Sequence, residues 1–150
     1  MALSHIISID RRTNNSLDKI YTISETFLDL EKYDLAIEAL DYIISKGFNS
    51  KIYIDSQINK LYALTKIAND KDQDFIKINN SYLDVIEEVG QNSFSVLLLS
   101  NYAHFKAFYL YELEEAKLIL EDAMNIAGVD KLDLAECKIQ YADVLLLSDK

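Results

Sequence analysis

The chain contains only three glycines, and each of them closes an amphipathic segment. The clearest segment covers residues 33–47, in which Ala36, Leu40 and Ile43 recur at helical spacing and therefore share one face. Gly47 follows them, and a glycine at that place can adopt the left-handed conformation that ends a helix. Proline, the strongest helix breaker, is absent, so long helices are permitted throughout. This pattern predicts an all-α protein.

Two markers repeat along the chain at a similar period. Gly90 and Gly128 close segments like the first one, and a small residue recurs in the other helix of each pair. These small residues are Ser24, Thr65, Ala103 and Ala142, which are 41, 38 and 39 residues apart. Repetition at this period indicates an array of helix pairs, and we expect about seven helices. We place them in one domain over residues 1–150, with pairs at 17–47, 51–90 and 93–128 and an unpaired helix at 130–148.

Capping residues set the expected helix boundaries, because their side-chain oxygens can accept early helical N–H groups. The candidate N-caps are Ser16, Asn49 or Ser50, Asp72, Ser93 and Asp130. The predicted helices cover residues 17–30, 33–47, 50–68, 72–89, 93–110, 113–127 and 130–147. Residues 1–10 fit either the last turns of a further helix or a frayed end. Loops this short make successive helices antiparallel neighbours.

The helix pairs carry small and apolar residues at a recurring spacing. In the first pair they are Ile20, Ile23, Ser24, Phe27, Tyr33, Ala36, Leu40 and Ile43, and in the third pair Tyr102, Ala103, Ala116, Leu120 and Ala123. This spacing resembles the signature of the tetratricopeptide repeat family over residues 17–150. The resemblance implies helix pairs that pack through small residues and stack into a right-handed superhelix. The chain departs from the family's pattern in three ways, which leave other helical solenoids open. Ile78 stands in place of a small residue, Phe48 stands in place of the family's proline, and the period is longer than about 34 residues.

The resemblance also implies a partner-binding groove. In that family the first helices of the pairs line a concave surface that holds an extended or helical peptide. Positions one residue past the packing face would point into it, and here they are Tyr21, Glu25, Tyr62, Lys66, Ser100, His104, Ile139 and Asp143. This row lacks the repeated Lys and Asn with which some members clamp a terminal carboxylate, which argues against chaperone C-terminal tails as ligands. The competing interpretation is that these side chains are solvated or stack on their neighbours.

Charge and composition argue against several other classes of function. A net charge of −10 and a pI of about 4.6 give a surface that repels phosphate backbones, so we expect no direct binding of nucleic acid. The first residues have no signal-peptide pattern. The most apolar run, residues 94–113, is interrupted by Asn101, His104 and Lys106, which predicts a buried helix rather than a membrane span. A cytoplasmic location is the default expectation, with the cell envelope as the alternative.

No residue pattern indicates catalysis, a cofactor or a bound metal. Three aspartates within residues 70–74 resemble the start of a calcium loop, but Phe75 and Ser81 stand where that loop needs glycine and glutamate. A nucleophile–base pair of Cys137 with His104 is conceivable. The simpler interpretation is a small core cysteine and a histidine on the surface or in the groove. Because Cys137 is the sole cysteine, no intrachain disulfide can form.

The last predicted helix has an apolar end without a covering helix, and this affects the expected function. Residues 132–147 look like the first helix of a fourth pair, and their apolar end at 144–147 has no second helix to cover it. We therefore expect a piece of a longer repeat protein, similar to segments of large bacterial tetratricopeptide proteins, many of which serve in cell-envelope assemblies. The alternative is a small protein that caps itself or dimerises through this helix.

The function expected from this architecture is a non-catalytic scaffold or adaptor that binds a peptide or partner protein in its groove. Two alternatives stay open. One is a self-association module that uses the exposed last helix. The other is a helical ligand-binding bundle or enzyme, which would require a closed pocket around residues 94–113.

Overall fold

The computed structural model describes residues 17–47 and 51–149, and within them it contains helices and no strand. The helices are α1 (Leu17–Asp29), α2 (Tyr33–Ile44), α3 (Lys51–Ile67), α4 (Lys71–Val89), α5 (Val96–Phe108), α6 (Leu113–Met124) and α7 (Lys131–Ser148). The prediction of an all-α protein is confirmed. The expectations for residues 1–10, the Ser16 cap, the start at Asn49 or Ser50 and the place of Phe48 lie outside the described residues.

The glycines take the conformation that the sequence predicts. Gly47, Gly90 and Gly128 have φ angles of +94°, +75° and +78°, in the left-handed region. α2 nevertheless ends at Ile44, three residues before its glycine. The reason is a final tight turn, in which Lys46 N–H donates to Ile43 O and Gly47 N–H to Ile44 O, so each bond spans only three residues.

Two of the predicted helix starts need correction. The cap of α4 is Asp70 rather than Asp72, because Asp70 Oδ1 accepts from the backbone N–H groups of Asp72 and Gln73, both at 3.1 Å. Asp74 completes this cap by accepting from the N–H of Asp70 at 3.0 Å. The Asp130 cap of α7 is confirmed, since its Oδ2 accepts from the Leu132 N–H at 3.1 Å.

α5 begins at Val96 and not at Ser93. Residues 92–95 form a separate turn, in which Ser95 Oγ accepts from the Asn92 N–H at 2.8 Å and Asn92 Oδ1 from the Phe94 N–H at 2.9 Å. These side-chain bonds hold the backbone of residues 92–95 in a non-helical turn, which competes with a helix start at Ser93. The turn therefore delays the helix by three residues.

The chain divides between Asp74 and Phe75 into two compact units. In the first unit α1, α2 and α3 each pack against the other two. Ile20, Ala39 and Ile43 form its described core cluster. Ser24 and Ala36, the small residues predicted to lie at the contact of the first pair, are both fully buried.

In the second unit α5, α6 and α7 pack against one another in the same pattern. α4 lies against α5, where the ring of Tyr82 is 5.1 Å from that of Tyr102 and 5.4 Å from that of Phe105. The core cluster comprises Val96, Leu99, Ala103, Ala107, Ala116, Leu120, Ala123, Cys137 and Val144. α5 buries nine of its thirteen residues, so the prediction of a buried helix in this apolar run is confirmed. None of the described helices is long and apolar enough to cross a bilayer.

The same turn joins α1 to α2 in the first unit and α5 to α6 in the second. Glu31 and Tyr111 both have φ = +58°, and they are the only described residues other than glycine with positive φ. The residues that follow match as well, since Lys32 has φ −93° and ψ 70° and Glu112 has φ −92° and ψ 71°. A helix pair with one turn geometry therefore occurs once in each unit.

Candidate interaction surfaces

Two residues of the predicted groove lie on α1. The Tyr21 side chain is half-buried, and its hydroxyl accepts a hydrogen bond from Asn59 Nδ2 of α3 at 2.9 Å. Burial, together with the charges of Asp55 and Glu25, raises the pKa of Tyr21 to about 12. The hydroxyl is thus a neutral bridge between two helices, whereas Glu25 is exposed.

The other two residues in the first unit lie together on α3. Tyr62 is 43% exposed, and its ring meets that of Tyr33 edge to face with the centroids 6.4 Å apart. Lys66 Nζ lies 5.5 Å from the centroid of the Tyr62 ring. The structure therefore brings an aromatic ring and a cation together on an open surface, in a geometry that favours cation–π attraction.

In the second unit, Ser100 does not line an open surface. Its side chain is fully buried, and the hydroxyl donates to the backbone oxygen of Val96 at 2.9 Å. The reason is that α5 is covered on several sides, so a position next to its main packing face is buried too. Ser100 is thereby removed from the candidate binding residues.

The remaining three predicted groove residues lie on two helices of the second unit, His104 on α5 and Ile139 and Asp143 on α7. His104 Nδ1 lies 2.8 Å from Gln140 Oε1, and the imidazole stacks on the Phe108 ring at 4.5 Å. His104 therefore links α5 to α7, as Tyr21 links α1 to α3. Ile139 is 55% exposed and Asp143 is exposed as well, so both are open to a partner.

Cys137 is fully buried in the core of the second unit, where Sγ lies 3.8 Å from the backbone oxygen of Leu120. Burial raises the pKa of this thiol, which disfavours the thiolate that a nucleophilic cysteine needs. Among the described residues, no three His, Cys, Asp or Glu side chains are grouped closely enough to hold a metal ion.

A concavity that the sequence did not predict lies between α4 and α6, over α5. It has a volume of about 400 Å³, and we refer to it as the Lys106 cleft. Its lining residues are Leu83 and Ile86 of α4, Gln91 of the turn before α5, Leu99, Tyr102 and Lys106 of α5, and Glu115, Leu118, Ile119 and Asp122 of α6. The cleft is open, since Leu83 is 47% and Leu118 60% exposed.

The floor of the Lys106 cleft holds an ionic cluster. Lys106 is only 7% exposed, and its ammonium lies 3.0 Å from Glu112 Oε2 and 2.9 Å from Glu115 Oε2. Burial by itself would lower the pKa of Lys106, but hydrogen bonds to Glu115 and Glu112 outweigh that effect and raise the pKa above its usual value. The same hydrogen bond lowers the pKa of the Glu115 carboxyl. The pair therefore stabilises the fold at neutral pH, and this contribution disappears when acid protonates Glu115.

The charges around the cleft do not cancel. Glu112, Glu115 and Asp122 contribute three carboxylates against the single ammonium of Lys106. The walls between these charges are leucine and isoleucine side chains. The arrangement offers apolar contact and an excess of negative charge in one place.

The sequence contained a signal for this cleft. The core face of α6 consists of Ala116, Leu120 and Ala123, and Leu118 lies off that face and 60% exposed. Leu118 instead shares the spacing i, i+3, i+4, i+7 with Glu115, Ile119 and Asp122, so these four residues form a second stripe. The apolar Leu118 within a charged stripe indicated a possible binding surface. Residue spacing could not predict that α4, α5 and α6 meet there to form a cleft.

Comparisons of this chain with protein-family models, curated proteins and solved structures found no match. The surfaces described above are therefore the basis for a functional hypothesis.

Proposed function

We propose that this chain is a non-catalytic protein-interaction module that holds a basic, apolar segment of a partner protein in the Lys106 cleft. The observation that carries this proposal is an open cleft with apolar walls and an excess of carboxylates. Burial of exposed apolar surface supplies the driving force for such binding, at roughly 25 cal/mol per Å². Charge complementarity then selects the partner and favours Lys or Arg beside its apolar side chains.

An array of antiparallel helix pairs like that of tetratricopeptide proteins is the architecture that we propose for the whole chain. The recurrence of one turn geometry at Glu31 and Tyr111 supports it. The burial of Ser24 and Ala103 at matching places supports it as well. The groove along the first helices stays a prediction, and within the first unit its residues Tyr62 and Lys66 offer a second location for the same kind of partner.

The proposal can be tested with a short fluorescein-labelled peptide built of leucine and lysine at helical spacing. We expect its fluorescence anisotropy to rise on titration with the protein, and to fall again as salt is added. A peptide with glutamate in place of lysine should not bind. Equal binding of both peptides would contradict the charge argument.

Two substitutions locate the binding, each with a matched control. Leu118→Ser removes an apolar wall and should weaken peptide binding about tenfold, which corresponds to about 1.4 kcal/mol. Leu30→Ser changes a leucine of the first unit that is equally 60% exposed, and it should leave binding unchanged. Asp122→Lys should weaken binding, whereas Glu38→Lys, at an exposed position of α2, should have less effect. If both members of either pair behave alike, the peptide does not occupy the cleft.

A further inference from the structure

α7 carries an exposed stripe at coiled-coil spacing. Its members are Leu132, Ala135, Ile139, Ala142 and Leu146, which follow one another by three, four, three and four residues. All five are exposed, with Leu132, Ile139 and Leu146 at 80%, 55% and 65%. Alternation of three and four residues is the a/d pattern of a heptad repeat. We refer to these residues as the α7 stripe.

The α7 stripe points away from the unit to which the helix belongs. Cys137 and Val144 lie on the opposite side of α7, and both are fully buried in the core of the second unit. A helix that meets the stripe would therefore not displace that core. The alanines at positions 135 and 142 leave room for the backbones of two helices to approach closely.

The charges beside the stripe specify an orientation. If Leu132, Ile139 and Leu146 are the a positions, Lys131 and Lys138 take the g positions and Glu136 and Asp143 the e positions. In a parallel pair each g residue faces the e residue five places further along the other helix. Lys131 would then face the partner's Glu136, and Lys138 the partner's Asp143. An antiparallel pair would instead bring g against g and e against e, which places like charges together.

We propose that the α7 stripe pairs with the α7 stripe of a second copy of this chain, in parallel orientation about a two-fold axis. Self-association was the alternative function suggested by the sequence, and the proposal assigns it to defined residues and to one orientation. It goes beyond the binding of a partner in the Lys106 cleft and does not depend on it, because the lining of that cleft comes from α4, α5 and α6 and the turn before α5.

Charge-swap variants test the proposal in sedimentation velocity experiments over a wide concentration range. We expect the unmodified protein to shift from monomer to dimer as its concentration rises. Lys138→Glu or Asp143→Lys should weaken dimerisation about tenfold, because each replaces an attraction by a repulsion at two symmetry-related places. The double variant K138E/D143K restores the opposite charges and should regain the original affinity. Both residues are exposed, so the variants should fold normally, and circular dichroism checks this.

Cross-linking provides a second readout of orientation. Ala142→Cys places thiols of the two copies opposite each other only in the parallel pair, so mild oxidation should yield a disulfide-linked dimer. Ala127→Cys, at an exposed position outside the stripe, is the control. The natural Cys137 is buried and should not contribute.

Several outcomes would overturn the proposal. A monomer at all concentrations would exclude the second copy as the occupant of the stripe. The parallel pairing would be excluded if the charge-swap variants dimerise with unchanged affinity. It would also be excluded if the dimer fails to cross-link through residue 142. Peptide binding to the Lys106 cleft should be the same in all α7 variants, so failure of one proposal is distinguishable from failure of the other.

Discussion

Glu112 contacts Lys106 twice, through its backbone and through its side chain. Its N–H donates to the backbone oxygen of Lys106 at 2.9 Å, and its carboxylate accepts from the ammonium at 3.0 Å. The Nζ atom also lies 5.3 Å from the centre of the Tyr102 ring. These contacts fix the turn between α5 and α6 and hold a buried cation that would be unfavourable without them.

Ser24 and Ser56 are both fully buried on helices of the first unit, but only Ser24 has a hydrogen bond. Its hydroxyl donates to the Tyr21 oxygen at 2.6 Å, whereas Ser56 Oγ has no partner among the described residues. We predict that Ser56→Ala is neutral or stabilising in urea denaturation and that Ser24→Ala is less stable than Ser56→Ala by about 0.5–1.5 kcal/mol. The gain in helix propensity is the same for both and cancels in the difference. An equal loss in the two variants would contradict this reasoning.

At the scale of the helix, spacing predicted the boundaries of most elements to within three residues. α1, α3 and α7 begin or end within about one residue of expectation, because caps and hydrophobic periodicity act locally. Ser100 is buried rather than open for a different reason. Spacing alone assigns each helix one buried side, whereas α5 buries nine of its thirteen residues.

Ala103 and Ala142 illustrate this limit and supply a test. The sequence register treats them as equivalent, yet Ala103 is fully buried and Ala142 is exposed. We predict that Ala103→Leu overpacks the second unit and lowers the free energy of unfolding by about 1–3 kcal/mol. Ala142→Leu should change it by less than about 0.5 kcal/mol. Denaturant titrations in dilute solution, where pairing of α7 is negligible, would measure both, and a neutral Ala103→Leu would argue against tight packing of α5.

The positions of the Lys106 cleft and of the α7 stripe also depend on how the helices pack. Leu118 and Ile139 were visible in the sequence as apolar residues off the core faces. Their roles depend on which neighbours cover each helix, and that depends on the packing of helices distant in the chain. Local periodicity carries no such information, so the binding surfaces could be only partly predicted.

For the whole molecule, net charge dominates the long-range electrostatics. A charge of −10 on 150 residues means that carboxylates repel one another across the surface. We predict that the melting temperature rises by a few degrees between about 0.01 M and about 0.15 M salt, over which the Debye length shrinks from ~30 to ~8 Å. Differential scanning calorimetry would measure this, with an uncharged solute at equal osmolality as control. A melting temperature that falls with salt would mean that local ion pairs such as Lys60–Asp41 outweigh the repulsion.

The burial of the single cysteine has a kinetic consequence. Cys137 lies in the core of the second unit, and that unit must open before a thiol reagent can reach it. Under native conditions the rate at which the reagent labels Cys137 therefore reports how often the second unit opens. Opening of the first unit alone does not expose Cys137 and does not change this rate. Cys137 is thus a natural probe of the opening rate of the second unit, and no cysteine has to be introduced to measure it.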